Sequence, residues 1–267
     1  MIIAFLVLLG LALGSGLNAL AYRLYNQESW LKGRSKCPQC KQTLSGYELI
    51  PLVSFFIQKG KCRHCKKKIS IQYPLGELVT SIAVVGSFLW YIQNGASPEM
   101  FFAWAIFLVV WCIWFIVFVH DAKHTIVLDS VALPGIVLVL ILQIVFHSLY
   151  GPAGEFIPFL GRILAAALLG AGFFAAQFII SKGTWIGGGD VRLGGLLGVT
   201  LMWPHIITGL MVAYIVGSII SLVWLGLKKV KWKSEIPFGT FLALAAVSVF
   251  VFGDALVSWY MNLFHFL

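Results

Sequence analysis

MFFAWAIFLVVWCIWFIVFVHD, residues 100–121, carries no formal charge until its last residue, which is an aspartate. Its apolar residues are continuous, with neither the one-sided stripe of a surface helix nor the alternation of a strand. About 20 such residues, rising about 1.5 Å each, cross a hydrocarbon core of about 30 Å. Runs of the same kind recur along the chain, at roughly 2–22, 74–93, 126–149, 157–181, 191–203, 205–227 and 238–265. Residues 191–227 are too long for one crossing, and Trp203-Pro204 supplies the break. Of the 267 residues 60% are hydrophobic and 11% charged, against about 45–50% and about 25% in an ordinary soluble domain. The expected fold is therefore an all-α polytopic membrane protein with about eight transmembrane helices.

Charge placement tests that count. With eight spans, the odd-numbered connections hold 18 of the 19 Lys and Arg residues, and Arg162 is the exception. Cytoplasmic loops collect Lys and Arg, so these connections are expected to face the cytoplasm and both termini to lie outside. The net charge of +9 is then a matter of topology, with a secondary attraction to anionic lipid headgroups. The first span lacks the basic start of a signal peptide and is expected to be retained.

The expected organisation is a first transmembrane helix at 1–22, a cytoplasmic insert at 23–73 and a multi-helix membrane domain at 74–267. The insert carries CPQC (Cys37, Cys40) and CRHC (Cys62, Cys65). Two C-x2-C knuckles at this spacing supply four thiolates for tetrahedral zinc, in the manner of a zinc ribbon. The alternative is a pair of disulfides, which a reducing cytoplasm disfavours. Four thiolates leave no open coordination position, so the zinc is expected to be structural. His64 reads as a bystander and Cys112 as a small apolar residue. The insert's basic residues could also serve nucleic acid, but its tether to the membrane makes lipid the expected neighbour, and no nucleic acid is expected.

Among ten acidic residues, Asp121 and Asp190 stand out. Asp121 ends the span at 100–120. Asp190 follows Gly187, Gly188 and Gly189, just before the sixth span. Both fall near the same expected membrane boundary. Two aspartates within reach of each other share a proton. The ionised member can then deprotonate water while the protonated member polarises a peptide carbonyl. The glycines would let a substrate backbone approach, or would adopt positive φ. The competing reading is that both acids merely cap helices.

With these residues in place, the chain resembles the type IV prepilin peptidase family. GSGLNALAYRL at 14–24, the paired C-x2-C knuckles, CRHCKKKISIQYPLGELVT at 62–80, Asp121 to Asp129 followed by Leu133-Pro134, the GxGD at Gly187-x-Gly189-Asp190 and IPFGTFLALAA at 236–246 carry the resemblance. It implies a membrane aspartic endopeptidase that removes basic leaders from prepilin-like or pseudopilin-like substrates at the cytoplasmic face of a bacterial membrane. It also implies, given the Cys-bearing insert, N-methylation of the new terminus with S-adenosylmethionine. Asp121 and Asp190 fall on the family's catalytic aspartates, and Asp129 falls on a structural position. Val127-Leu128-Asp129 lacks the family's proline, and Lys123 stands where many relatives have Asp. For methyl transfer the resemblance points to Gly14, Gly16 and Asn18, with Glu77 a further candidate for methyl transfer or a structural role, although close helix packing would equally explain the glycines. Glu48 and Glu77 are candidates for leader recognition. Competing readings are a general GxGD intramembrane protease and a non-enzymatic transporter or assembly scaffold.

Overall fold

The computed structural model describes residues 1–29, 32–229 and 236–265. Lys231 and Lys233, counted among the loop charges above, lie outside them. Nine helices are described: α1 (Ile2–Tyr25), α2 (Val53–Ile57), α3 (Gln72–Gln93), α4 (Pro98–His124), α5 (Asp129–Tyr150), α6 (Phe156–Ser181), α7 (Gly188–Leu201), α8 (His205–Gly226) and α9 (Phe238–His265). No multi-residue strand occurs among the described residues. All but α2 match a predicted span, and seven are long and apolar enough to cross a membrane.

The helix at the sixth predicted span is the one that differs. α7 has 14 residues, which at about 1.5 Å per residue is about 21 Å, short of the core's thickness of about 30 Å. A span count of eight therefore becomes seven crossing helices and one short one. The physical reason lies in what surrounds α7. Every residue from Leu193 to Leu201 is buried, enclosed by protein rather than lipid, so its length need not match the bilayer.

The chain forms two compact units, Met1–Trp104 and Ala105–Leu267. In the first, α1 lies against α3 through Gly10 and Gly14. A Cβ on Gly10 would stand 2.5 Å from Ser81 Cα, and one on Gly14 would stand 2.7 Å from Glu77 Cα. Small residues four apart let two helix backbones approach this closely, and Ser81 adds a hydroxyl bond to the Val7 carbonyl at 3.1 Å. Gly16 has open space beside it. The packing glycines are thus Gly10 and Gly14, and Gly16 is not one of them.

In the second unit α7 is the centre. Gly170 of α6 meets Gly194 backbone to backbone, and Gly198 lies on the Ala166 carbonyl. Ile136 of α5 reaches Gly195, Leu201 and Leu197 of α7 touch Gly209 of α8, and Leu193 touches Gly239 of α9. Trp114 Nε1 of α4 donates to Thr200 Oγ1 at 3.2 Å. A side chain at Gly194 would collide with a backbone carbonyl and Phe174, neither of which can swing aside. Gly194→Val is expected to cost about 3 kcal/mol or more, overpacking plus displaced backbone. A melting curve of detergent-solubilised protein showing no loss would refute this packing.

Candidate active site and metal centre

The insert is built from two copies of one turn. Cys37 N–H bonds the Gln42 carbonyl and Lys41 N–H bonds the Cys37 carbonyl, both at 2.9 Å. Cys62 N–H bonds Lys67 and Lys66 N–H bonds Cys62, again at 2.9 Å. Isolated antiparallel bridges, Lys36 with Thr43 and Lys61 with Lys68, close each knuckle. Lys41 and Lys66 both take φ of 59°, a left-handed conformation that costs a non-glycine residue about 1 kcal/mol or more. Such turns present both sulfurs of a C-x2-C pair to one point.

The four sulfurs of Cys37, Cys40, Cys62 and Cys65 lie within 4.8 Å of one another, and all four thiols are free. Cys37 and Cys65 sulfurs are 4.0 Å apart, twice a disulfide bond length of about 2.05 Å. Tetrahedral ligands at a Zn–S distance of about 2.3 Å stand about 3.8 Å apart, so the cluster fits a metal ion and not a pair of disulfides. Backbone N–H groups of Cys65 and His64 lower the Cys62 thiol to about 7, favouring the thiolate a metal requires. His64 Nε2 faces Glu48 Oε1 at 3.7 Å, as a bystander would. Glu48 is buried and accepts from Ser45 N–H at 2.9 Å and Ser45 Oγ at 2.6 Å, which hold its carboxyl below the usual range. Oε2 is thus engaged inside the insert, while Oε1, also buried, accepts no hydrogen bond.

Asp121 occupies the last turn of α4, where the helix's own dipole disfavours a carboxylate. It is buried at 5% exposure. Compensation comes from another helix: Oδ2 accepts from Thr240 N–H at 2.6 Å and from Thr240 Oγ1 at 3.1 Å. Thr240 is the third residue of α9, so Asp121 satisfies one of that helix's unpaired N–H groups. Gly239 makes room, since a Cβ there would lie 3.0 Å from both Cγ and Oδ2 of Asp121. Gly239 and Thr240 were visible in the sequence only as part of IPFGTF. Their role follows from α9 beginning where α4 ends.

Asp190, the third residue of α7, accepts from Gly187 N–H at 3.1 Å. This is half of a capping box, so the capping reading holds for Asp190 on its own helix. Asp121 caps no turn of its own helix but caps the N-terminus of α9 through Thr240 N–H. Gly187 is extended at φ −80° and ψ 156°, and none of Gly187, Gly188 or Gly189 has positive φ. The expectation of left-handed glycines fails there. Gly189 is instead required for packing, because a Cβ would stand 2.7 Å from Val127 Cβ. Asp129 at the start of α5 pairs with Arg192 Nη1, tying α5 to α7 beside Asp190. Arg192 had no assigned role in the sequence beyond its charge.

Asp190 lies outside the seven crossing helices. Burial raises its carboxyl to about 6, with a further upward push from the charge of Asp121; Gly239 adjoins both surroundings, since a Cβ there would lie 3.0 Å from the Asp121 carboxyl and 2.9 Å from Leu193, one turn beyond Asp190. In the unfolded chain an aspartate titrates near 3.8. The folded state therefore binds the extra proton between these values, and its stability falls as pH rises through about 6. Asp190→Asn removes that loss. Its melting temperature is expected to exceed the wild type's at pH 7.5, with the difference shrinking toward pH 4. A difference independent of pH would refute the assignment.

The remaining candidates, Gly14, Asn18 and Glu77, are brought together between α1 and α3. Asn18 Nδ2 donates to the Gly14 carbonyl at 3.0 Å, and Gln72 Nε2 donates to Asn18 Oδ1 at 3.3 Å. Glu77 Oε2 accepts from Leu52 N–H at 2.8 Å. These polar groups are engaged with one another and with the backbone.

A model of the bacterial peptidase A24 N-terminal domain matches residues 8–91, and one of the type IV leader peptidase family matches residues 106–222. The prepilin leader peptidase/N-methyltransferase of Legionella pneumophila is 29% identical over 280 residues, covering 96% of this chain and 93% of its own. The protein of the same name from Bacillus subtilis is 29% identical over 264 residues, covering 98% of each chain. That from Burkholderia pseudomallei is 27% identical over 288 residues, covering 94% and 85%. No solved structure matches the chain significantly. Matched in order by both models, with the acid pair in the second and the cysteine cluster in the first, the chain belongs to the type IV leader peptidase family.

Proposed function

We propose that this protein is a membrane aspartic endopeptidase that removes the leader of prepilin-like substrates, with Asp121 and Asp190 as its catalytic pair. The observation that best supports this reading is Gly239, where a Cβ would lie 3.0 Å from the Asp121 carboxyl and 2.9 Å from Leu193, one helical turn beyond Asp190, so that the end of α4 and the start of α7 share one neighbour. The pair holds one proton. The ionised carboxyl accepts a proton from water as its oxygen attacks the scissile carbonyl carbon. The protonated carboxyl donates to the carbonyl oxygen. The tetrahedral intermediate then collapses, breaking the C–N bond as the leaving nitrogen takes up a proton. Thr240 and Gly187 hold the two carboxyls through backbone N–H groups, fixing their orientation before substrate arrives. Gly187 and Gly188 leave space beside Asp190 for an extended peptide.

The charge census supports a cytoplasmic location for this site, where a basic leader preceding a hydrophobic stem would be presented. The cysteine cluster is proposed to hold structural zinc in an insert spanning 23–73. N-methylation of the new terminus, with S-adenosylmethionine supplying the methyl group, is supported by the names of the relatives, and no step of it is assigned to residues here. The test is purified protein in proteoliposomes with a peptide carrying a basic leader and an apolar stem. Mass spectrometry is expected to find the released leader and, with S-adenosylmethionine, a stem heavier by one methyl group. An intact peptide would overturn the peptidase reading, and an unmodified stem would confine the protein to cleavage.

A further inference from the structure

Between the two cysteine knuckles, the insert carries a large apolar surface with no counterpart in the site. In the stretch ELIPLVSFFI at 48–57, Phe56 is 71% exposed, Ile57 75%, Val53 49% and Ile50 47%. These belong to or adjoin α2, whose five residues are far too few to cross a bilayer. Left-handed Lys59 and Gly60 end the helix and turn the chain back toward Cys62 through the Gly60 N–H to Phe55 carbonyl bond at 2.9 Å. Lys59 and Lys61 follow, both exposed.

Where this surface sits is fixed by one bond. Leu52 N–H, one residue before α2, donates to Glu77 Oε2. Glu77 is buried and lies five residues into α3, so about 7 Å along the crossing helix from its start at about 1.5 Å per residue. The insert thus reaches the level of the membrane-spanning segment, where Leu75 and Leu78 are also exposed. Both its ends are likewise held by crossing helices, α1 and α3.

We propose that α2 and its flanks form an interfacial anchor, with Ile50, Val53, Phe56 and Ile57 seated among the lipid acyl chains and Lys59 and Lys61 at the anionic headgroups. Lipid is the occupant because a backbone-to-carboxylate bond holds the apolar face at the depth of α3, and because the cations follow directly where the chain turns outward. An amphipathic segment of this kind lies in the plane of the boundary instead of spanning it. The anchor would fix the height of the insert over the membrane.

The experiment uses the full chain in vesicles of phosphatidylethanolamine and phosphatidylglycerol, part of which carries a photoreactive diazirine on an acyl chain. After illumination, mass spectrometry is expected to find lipid adducts on residues 50–57 as well as on α3, and none on the knuckle at 37–43. Phe56→Gln with Ile57→Gln is expected to reduce the adducts at 50–57 several-fold while leaving the α3 adducts unchanged. Absence of adducts at 50–57 alongside labelled α3 overturns the proposal. So does labelling at 50–57 that an apolar-stem peptide displaces, since the surface would then be a peptide dock.

Discussion

Asp121→Asn and Asp190→Asn are each expected to lower leader cleavage by about 10³-fold or more while leaving the protein folded. General acid–base catalysis contributes about 10²–10⁴-fold, and a proton-sharing pair loses both functions when either member can no longer ionise. The double variant is expected to be no worse than the poorer single one, because residues that act as a unit are not additive. Folding is protected for a specific reason at each position. An asparagine oxygen at 121 can still accept from Thr240 N–H, now 2.6 Å from the carboxylate, and one at 190 can still accept from Gly187 N–H. The Asp190 variant is also expected to melt higher near neutral pH, so lost activity with gained stability would place the lesion in chemistry. Near-normal cleavage by either variant, read from peptide mass spectra, would refute the pair.

The apolar runs made seven crossing helices legible from sequence because a hydrocarbon thickness imposes a length that composition alone reveals. α7 broke the rule since its surroundings are other helices, and burial within protein leaves no length signature. The cysteine knuckles were equally legible: spacing decides whether four sulfurs can meet, and here they do. What stayed hidden was the support for each acid. Thr240 and Gly239 serve Asp121 from 119 and 118 residues away, through a helix start that no local pattern connects to α4. Arg192 with Asp129 and Leu52 with Glu77 are similarly long-range pairs of ordinary residues. The glycines before Asp190 were visible, but the reason for them was not, because close approach to Val127 at Gly189 and positive φ look alike in a sequence.

Removing the metal is expected to unfold the insert and spare the bond-breaking chemistry. Among the insert's described residues the regular structure amounts to two bridged turns, a 3-10 turn at Gly46–Leu49 and the five-residue α2. Its large apolar side chains, Tyr47, Ile50, Phe56 and Ile57, are exposed instead of packed. Too little core is left to hold it, and zinc bound by thiolates in small domains contributes about 10–16 kcal/mol directly to folding. Cys62→Ser takes away a buried ligand, and so is expected to abolish stoichiometric zinc. It is also expected to open the lysine-rich stretch Lys66–Lys68 to trypsin, which the wild type resists until a strong chelator is added. Cleavage of a leader peptide by the acid pair is expected to continue immediately after chelation, since no thiolate ligand lies in the unit that holds Asp121 and Asp190. Immediate loss of turnover, restored on adding zinc back without refolding, would make the metal catalytic. Full zinc content in Cys62→Ser would remove this residue from the ligand set.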